Sequence, residues 1–505
     1  MRNIVHFIQK HEGIVFILIA MFLLRVPNLY EPYWYGDEGI YLTLGTALRH
    51  GLILYRDIID HKTPLIYVFA MLPSQFWFKF FFMVWMAGAT TLFYVLAQRI
   101  FKSRWRAIVT STVFMLLTTL PAFEGNIANG ELFVVGFVLA GMVMFSNSSL
   151  FMAFLQKKTT YHHEYVLMIF SGICFSLGTL TKVPAVFDIA GVVAIFGFLM
   201  CYTFSWKNMR TLLLSGIALC IGFAIPILIS VAYFAFHQAL SDYAQFGLLY
   251  NFRYSTSFRV PVSQDWLAFL YTMPGKALVV AFLGGTTLLL KKYLRPVFQF
   301  SFAWYVFTLF SSLLSSRPYP HYFLQLFAPF SLLLGCILYK GRVIEKILFG
   351  IGVFLCIFTM IVLNAGLYPT LSYYQTFGQY VTGSLSKDTY RNQFNPLMAD
   401  TYLVAQYIQT TTTSDDRMFI WGTNPMLYAL AKRVPSGRFT VSFHIKDFQA
   451  NPETFEAIQK TKPPIIVVMN DEDGSFPEFY AYLQQYYIPV QSHLTMKVFR
   501  RVMLP

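Results

Sequence analysis

The sequence predicts an all-α polytopic membrane bundle of about 11 transmembrane helices, followed by a small C-terminal α/β domain. Of the 505 residues, 56% are hydrophobic and only 12% are charged, whereas soluble chains carry roughly a quarter charged residues. The apolar residues fall in long runs, close to the ~20 residues needed to cross a bilayer core. After about residue 366 these runs stop and polar residues return.

Basic residues are concentrated in short loops between alternate apolar runs, which is the positive-inside pattern that sets orientation. These loops are 99–106, 157–158, 207–210, 291–295 and 340–346. Because the basic leader with Arg2 and Lys10 stays in the cytoplasm, the first loop lies outside, and an odd span count places the tail outside too. We therefore predict a multi-pass protein of the cell (plasma or inner) membrane with an extracytoplasmic C-terminal domain.

The net charge of +14 does not indicate nucleic-acid binding, because the basic residues form no continuous surface. The five cysteines all lie within apolar runs and indicate neither a disulfide framework nor a metal cluster.

Composition also predicts the domain boundaries, which are 1–365 for the membrane domain, 366–395 for a linker and 396–505 for the α/β domain. Within the membrane domain, 34–75 is the first external loop with interfacial helices. In the tail, RMFIWG and PIIVVMN are typical of buried strands, and NPMLYALAKR, PETFEAIQK and PEFYAYLQQYY of helices that begin at a proline. Alternating strands and helices favour a small α/β domain.

Charge is concentrated in the first external loop. Its charged candidates are Asp37, Glu38, Asp57, Asp60, His61 and Lys62. Such residues beside hydrocarbon usually mark a substrate or ion site. A short helix should begin at Asp37-Glu38 and end near Gly51, with its positive end favouring anionic groups. The alternative is an interfacial loop whose acids face water.

Other external loops add weaker candidates. Glu131 begins the fourth span, although helix N-termini favour Glu in any case. Lys182 ends the fifth span on the outside, where the simpler interpretation is a lysine reaching to the interface.

The loop between the ninth and tenth spans carries Arg317, His321 and Tyr322 in a segment made rigid by prolines. The planar guanidinium of arginine suits phosphate recognition. Arg253 and Arg259 are alternatives for that role, and an external arginine could instead contact lipid headgroups.

An outward acidic centre with basic groups at bilayer level suits sugar transfer from a lipid-linked phosphate donor. The acceptor hydroxyl needs a carboxylate base, and the departing phosphate needs cations. The lipid tail requires a site that opens sideways into the bilayer.

The same residues resemble the first external loop of the GT-C glycosyltransferases. The pattern comprises Arg25, Trp34, Asp37-Glu38, Tyr41, Gly51, Tyr55, Asp57 and HKTPLIY at 61–67. It is most similar to the bacterial branch of the dolichyl-phosphate-mannose protein mannosyltransferase group, which includes the lipid A aminoarabinose transferases. RPYPHYFLQLFAP and WGTNPMLYALAKRVPSGRF add weaker similarity.

The resemblance implies an inverting transfer from a β-linked polyprenyl-phosphate sugar, without a nucleotide-sugar site. It implies that Asp37 is the catalytic base and that Lys62 is associated with the donor phosphate. Glu131 falls where the family has a second acid, which is Asp in many members. Divalent metal use varies among GT-C enzymes. No ligand set is predicted here, although Asp37 with Glu131 could hold a metal.

We therefore predict an enzyme that moves a monosaccharide from a polyprenyl-phosphate donor to a hydroxyl of an envelope lipid, glycan or protein on the outer face. The predicted catalytic residues are Asp37, Glu38 and Glu131, and the predicted donor-phosphate ligands are Lys62, Arg317 and Arg253. The predicted pocket residues are His61, Tyr55, His321 and Tyr322.

The sequence leaves two alternatives to this enzyme, a transporter and a scaffold. A transporter or flippase of lipid-linked glycans should show internal repeats and ionisable residues deep within spans, but the clearest mid-span charge is Asp188. A scaffold of the cell envelope that presents the C-terminal tail would not explain the acidic residues of the first loop.

Overall fold

The computed structural model describes residues 2–158, 162, 164–202, 204–258, 260 and 262–502. It is mostly helical, with one small sheet near the C-terminus. Contacts divide the chain into two compact units. Unit 1 comprises Met1–Val26, Phe81–Tyr233 and Tyr250–Thr370, and unit 2 comprises Pro27–Phe80, Phe234–Leu249 and Leu371–Pro505. The loop at 34–75, which is predicted to be external, and the C-terminal tail therefore belong to the same unit.

In chain order the α-helices are α1 (Arg2–Arg25), α2 (Gly36–Arg49), α3 (Leu65–Phe69), α4 (Gln75–Phe101), α5 (Arg104–Thr119), α6 (Gly130–Ser146), α7 (Ser149–Gln156), α8 (Tyr165–Thr181), α9 (Ile189–Tyr202), α10 (Trp206–Phe236), α11 (Leu240–Asp242), α12 (Tyr250–Ser257), α13 (Asp265–Leu270), α14 (Met273–Leu289), α15 (Pro296–Ser312), α16 (Phe327–Ile337), α17 (Val343–Val362), α18 (Thr370–Val381), α19 (Lys387–Asn392), α20 (Met398–Thr411), α21 (Pro425–Ala431), α22 (Ser442–Asp447), α23 (Asn451–Thr461) and α24 (Pro477–Tyr486). The strands are β1 (Arg417–Trp421), β2 (Val434–Pro435), β3 (Ile465–Met469), β4 (Tyr487–Ser492) and β5 (Met496–Arg501). Short 3₁₀ helices cover Val26–Tyr30, Pro121–Phe123, Val183–Asp188 and Pro320–Leu326, and a π-helix covers Tyr243–Leu249.

Long apolar helices confirm the prediction of a multi-pass membrane protein. Among the described residues, six segments are long and apolar enough to cross a bilayer, and a bent pair makes seven. The six are Glu12–Tyr30, Gln75–Phe101, Val183–Tyr202, Trp206–Phe236, Pro320–Ile337 and Val343–Val362. Helices also lie at the other predicted spans, and the count of eleven stays a prediction.

The predicted fourth span is a bent pair, α6 and α7, with an angle of 75° between its halves. The break falls at Asn147 and Ser148. The Ser148 hydroxyl accepts a hydrogen bond from the Phe151 N–H at 3.2 Å, so it caps a new helix.

Within unit 1, α8 and α10 approach each other through glycines. A Cβ atom at Gly172 would lie 2.2 Å from the Leu219 carbonyl oxygen, and one at Gly222 would lie 2.0 Å from the Ile169 carbonyl oxygen. Since these neighbours are backbone atoms, they have little freedom to move aside. Small residues at such crossings let apolar helices pack at close range in a bilayer.

Unit 2 contains a five-stranded sheet in the order β2-β1-β3-β5-β4. Strand β1 is parallel to β2 and β3, whereas β5 is antiparallel to β3 and β4. The strands predicted at RMFIWG and PIIVVMN are confirmed as β1 and β3, and the three predicted helices as α21, α23 and α24. The β4–β5 hairpin was not predicted. Strand β4 begins at Tyr487, which is the last residue of the predicted helix PEFYAYLQQYY, and most of the strand is exposed.

Gly222→Ala should lower the free energy of unfolding by about 1–3 kcal/mol, because its Cβ overlaps backbone that cannot repack. Thermal unfolding of the protein in detergent measures the change. Gly197→Ala in α9 is the matched control, because no atom of the described residues lies within 4 Å of a Cβ there. Equal melting temperatures for the two variants would contradict the close crossing of α8 and α10.

Candidate active site

Helix α2 brings the acidic pair of the first loop to a helix N-terminus. Asp37 and Glu38 lie in its first turn, where negative charge is stabilised by the helix dipole. The helix ends at Arg49, just before Gly51. The short helix predicted over this stretch is therefore confirmed.

Close packing against α21 holds α2 in place within unit 2. A Cβ atom at Gly39 would lie 2.8 Å from the Met426 backbone nitrogen. The Thr43 hydroxyl donates a hydrogen bond to the Pro425 carbonyl oxygen at 3.1 Å. Side chains on the first turn of α2 therefore project from a rigid support.

The loop after α2 is attached to the C-terminal segment by its backbone. The Ile59 N–H donates to the Arg438 carbonyl oxygen at 2.7 Å. Tyr55 adopts a left-handed conformation with φ 68°, and its hydroxyl donates to the Lys62 carbonyl oxygen at 2.6 Å. These bonds fix the path of residues 55–62.

The ammonium group of Lys62 lies between two carboxylates. Its Nζ is 3.3 Å from Asp37 Oδ2 and 3.5 Å from Asp60 Oδ2, and it lies 5.1 Å from the centre of the Tyr41 ring. Lys62 and Asp60 are buried, whereas the Asp37 side chain is 30% exposed. The structure therefore joins the predicted base and the predicted phosphate ligand in one ion pair, and Asp37 is the member that reaches solvent.

Asp60 is the buried anchor of this arrangement. The Tyr67 hydroxyl donates to its Oδ2 at 2.7 Å and accepts from the Lys62 backbone N–H at 3.2 Å. Burial alone raises the pKa of Asp60, but the charges of Lys62 and His61 outweigh it and hold that pKa well below its usual value. Asp60 is therefore a buried carboxylate that stays ionised.

Two histidines face the other oxygen of Asp60. His61 Nδ1 lies 3.0 Å from Asp60 Oδ1, and His444 Nε2 lies 3.7 Å from it. Burial lowers the pKa of His444 to about 3, so its ring is neutral at physiological pH. We refer to Asp37, Asp60, His61, Lys62, Tyr67 and His444 as the loop cluster.

Glu38, predicted to be catalytic, lies in a neighbouring buried ionic group. The Lys79 ammonium is 2.5 Å from Glu31 Oε2 and 3.3 Å from Glu38 Oε2. The Tyr373 hydroxyl donates to Glu31 Oε1 at 2.5 Å, and the Gln75 amide donates to Glu38 Oε2 at 3.3 Å. This group stabilises the start of α2 and the segment before it.

Glu131 lies in unit 1, where it begins α6 and is buried. Its carboxylate forms an ion pair with Lys182, and His321 Nε2 lies 3.9 Å away. The opposite nitrogen of His321, Nδ1, is 2.7 Å from Glu124 Oε2. Glu124, Glu131, Lys182 and His321 form what we call the Glu131 cluster.

The remaining candidates of unit 1 lie around α12. The Arg317 guanidinium is 4.2 Å from the centre of the Tyr254 ring and donates to the Ser257 hydroxyl at 3.1 Å. Arg253 is exposed on the same helix. The Tyr322 and Tyr254 hydroxyls are 3.4 Å apart. Arg259, the third arginine considered, lies outside the described residues.

The sequence alone missed or underrated three ionisable residues of the two clusters. Asp60 was one of several loop acids and was assigned no role, although it directly precedes His61 and Lys62. Lys182 was interpreted as reaching the interface, whereas it pairs with Glu131. His444 carries no local signal, since only the folding of α22 against residues 59–61 places it there.

Solved structures similar to this chain define the class of its fold, which is the GT-C glycosyltransferase fold. One is ArnT from Cupriavidus metallidurans bound to undecaprenyl phosphate, with a TM-score of 0.57, 12% sequence identity, and coverage of 97% of this chain and 98% of ArnT. The apo state of the same ArnT gives a TM-score of 0.57 at 11% identity, covering 98% of each chain. No family model matches the chain, and no curated protein gives a significant match.

Lys79→Met should lower the free energy of unfolding by roughly 3–5 kcal/mol, because it leaves Glu31 and Glu38 buried without their cation. Thermal unfolding in detergent measures the change. Lys446→Met is the matched control, since Lys446 is an exposed lysine that pairs with Glu472 at 2.9 Å, and exposed ion pairs contribute about 0–1 kcal/mol. Similar losses in both variants would show that the buried group is not a stabilising element.

Proposed function

We propose that this protein is a membrane glycosyltransferase that moves a monosaccharide from a polyprenyl-phosphate donor to a hydroxyl of an envelope lipid, glycan or protein. The observation that carries the proposal is the ion pair between part-exposed Asp37 and buried Lys62. It occurs in a fold shared with an ArnT that was crystallised with undecaprenyl phosphate.

In the proposed reaction, Asp37 takes the proton from the acceptor hydroxyl as the hydroxyl oxygen attacks the anomeric carbon of the sugar. The bond between that carbon and the donor phosphate oxygen breaks, and the oxygen leaves with the electron pair. A single displacement of this kind inverts the anomeric centre. The exposure of Asp37 suits this role, because a base must reach the incoming hydroxyl.

Lys62 is proposed to stabilise the charge that develops on the departing phosphate. Its ammonium is already positioned by Asp37 and Asp60, so little reorganisation is needed during the reaction. Tyr55 and His61 belong to the same loop and are proposed to line the pocket.

For unit 1, we propose that Arg317 and Arg253 assist in binding the donor phosphate. In support, Arg317 is held in place by Tyr254 and Ser257, and a planar guanidinium offers paired donors to phosphate. The proposed roles of Glu131 and His321 are supported by the burial of the Glu131 cluster, because buried charge in a membrane protein usually marks function. Tyr322 adjoins this cluster, since the Lys182 ammonium lies 4.7 Å from the centre of its ring.

The proposed topology has eleven spans in the cell membrane, with the first loop and the C-terminal sheet on the outer face. It is supported by the alternation of basic loops along the sequence.

A transporter or flippase receives no support from Asp188, the clearest mid-span acid. Its carboxylate is buried and accepts hydrogen bonds from Trp304 Nε1 at 2.6 Å, Thr308 Oγ1 at 3.1 Å and Gln325 Nε2. A carboxylate held by three donors is a fixed structural group, whereas a transport residue must exchange partners with its cargo.

Asp37→Asn should lower the transfer rate by about 10²–10⁴-fold, because it removes the base. The assay uses purified protein in nanodiscs, a panel of polyprenyl-phosphate sugars and envelope acceptors, and mass spectrometry of the products. Asp57→Asn is the matched control, since Asp57 lies in the same loop but pairs with exposed Arg56. No product from any wild-type combination would contradict the proposed function, and near-normal turnover by Asp37→Asn would remove Asp37 as the base.

Lys62→Met should weaken binding of undecaprenyl phosphate at least about tenfold and lower transfer by about 10²–10³-fold. Titration of intrinsic fluorescence with undecaprenyl phosphate measures affinity, and Asp37→Asn should retain wild-type affinity in the same titration. Lys497→Met, on the exposed face of β5, controls for the loss of one positive charge. Unchanged affinity in Lys62→Met would exclude this lysine from the phosphate site.

A further inference from the structure

Beside Lys62, two imidazoles and one carboxylate converge in the interior of unit 2. One ligand atom from each of Asp60, His61 and His444 can be chosen so that all three lie within 4.8 Å of one another. Asp60 and His444 are buried, and the His61 side chain is 12% exposed. This set of donor atoms is the one found in sites for transition metals.

His444 supplies an independent indication of a missing ligand. It is 1% exposed, and among the residues that the structure describes neither of its ring nitrogens has a hydrogen-bond partner. Its Nε2 is directed towards Asp60 Oδ1, but 3.7 Å is too long for a hydrogen bond. Burying a polar ring without partners is costly, and a bound cation would satisfy the nitrogen.

The distances between the ligand atoms of Asp60, His61 and His444 are close to those around a zinc ion. Tetrahedral zinc has bonds of about 2.0–2.2 Å to nitrogen and oxygen, which places its ligand atoms roughly 3.4 Å apart. The distances from Asp60 Oδ1 to His61 Nδ1 and His444 Nε2 are 3.0 and 3.7 Å. Small side-chain rotations would therefore complete a three-ligand site.

We propose that Asp60, His61 and His444 bind one divalent transition metal ion of the zinc type, with a fourth position open to water. Two imidazoles favour such metals over magnesium and calcium, which prefer sites made of oxygen ligands.

The other oxygen of Asp60 is already engaged. Tyr67 donates to Oδ2 at 2.7 Å, and a hydrogen bond of this kind orients a ligating carboxylate. The Lys62 ammonium also lies on the Oδ2 side, at 3.5 Å, and its charge opposes cation binding. Asp37 offsets that charge at 3.3 Å.

The charge of the loop cluster also favours a cation. With both imidazoles neutral, as ligands to a metal must be, the carboxylates of Asp37 and Asp60 and the ammonium of Lys62 leave one net negative charge. A divalent ion would make the cluster positive, which suits an anionic phosphate. This last step rests on the proposed function, whereas metal binding by itself does not.

The metal would also link two parts of unit 2 that are distant in sequence. His61 belongs to the first loop and His444 to α22, where the Ile59–Arg438 backbone hydrogen bond already joins the neighbouring segments. A bound ion would hold the loop, and with it Lys62, against the C-terminal domain.

The test measures metal content by mass spectrometry on full-length protein purified without a metal-affinity column. The protein is stripped with a chelator and reloaded with Zn²⁺ alone, without donor or acceptor. We expect about one zinc per chain in the wild type, as for a single three-ligand site. His444→Phe and Asp60→Asn should lose it. Tyr67→Phe should retain it with about 10–100-fold weaker affinity, because the carboxylate is no longer oriented.

His493→Phe is the matched control, because His493 is a part-buried histidine of the same domain outside the cluster. It should bind zinc like the wild type. Co²⁺ should give visible absorption bands in the wild type and in His493→Phe but not in His444→Phe, and Zn²⁺ should raise the melting temperatures of the same two proteins and leave that of His444→Phe unchanged. Absence of stoichiometric zinc in the wild type, or unchanged affinity in both His444→Phe and Tyr67→Phe, would overturn the site. Both of these outcomes concern zinc binding, whereas the proposed glycosyl transfer is tested by product formation. The metal site and the proposed function can therefore be contradicted independently.

Discussion

The buried ammonium of Lys62 is the constraint on which the first loop depends. A charge removed from water is tolerated only with well-placed partners of opposite sign, and Asp37 and Asp60 supply them at 3.3 and 3.5 Å. Asp60 lies close enough to pair with Lys62 because the Tyr67 hydroxyl bonds both to the Asp60 carboxylate and to the Lys62 backbone N–H, which holds the loop in one conformation. The polar architecture of the loop therefore follows from keeping one cation in place.

Both units contain charges buried in the same manner. In unit 2, Lys79 is enclosed by Glu31 and Glu38, and in unit 1 Glu131 is paired with Lys182. Apolar residues of similar size would often be as stable as such groups, so stability alone does not account for these buried charges. The loop cluster differs because the Asp37 side chain reaches solvent, and this exposure is the observation that supports the proposed role of Asp37.

Local patterns accounted for much of the architecture. Apolar runs predicted the membrane helices, and proline at helix starts predicted α21, α23 and α24. The bend after α6 and the β4–β5 hairpin were not predicted. The first depends on a single serine cap, and the second on pairing with β3, which an exposed strand does not reveal in its own sequence. The contact between α8 and α10 likewise depends on glycines whose partners lie on another helix.

The sequence by itself determined that this is a multi-pass membrane protein with a short acidic helix after its first span and a small C-terminal α/β domain. These features follow from hydrophobicity and helix signals, which act between near neighbours in the chain. Only the tertiary structure decided that Asp37 and Lys62 form an ion pair, that Asp60 is its buried anchor, and that His444 faces it. The reason is physical, because the pairing and burial of charges depend on residues that are distant in sequence and adjacent only after folding.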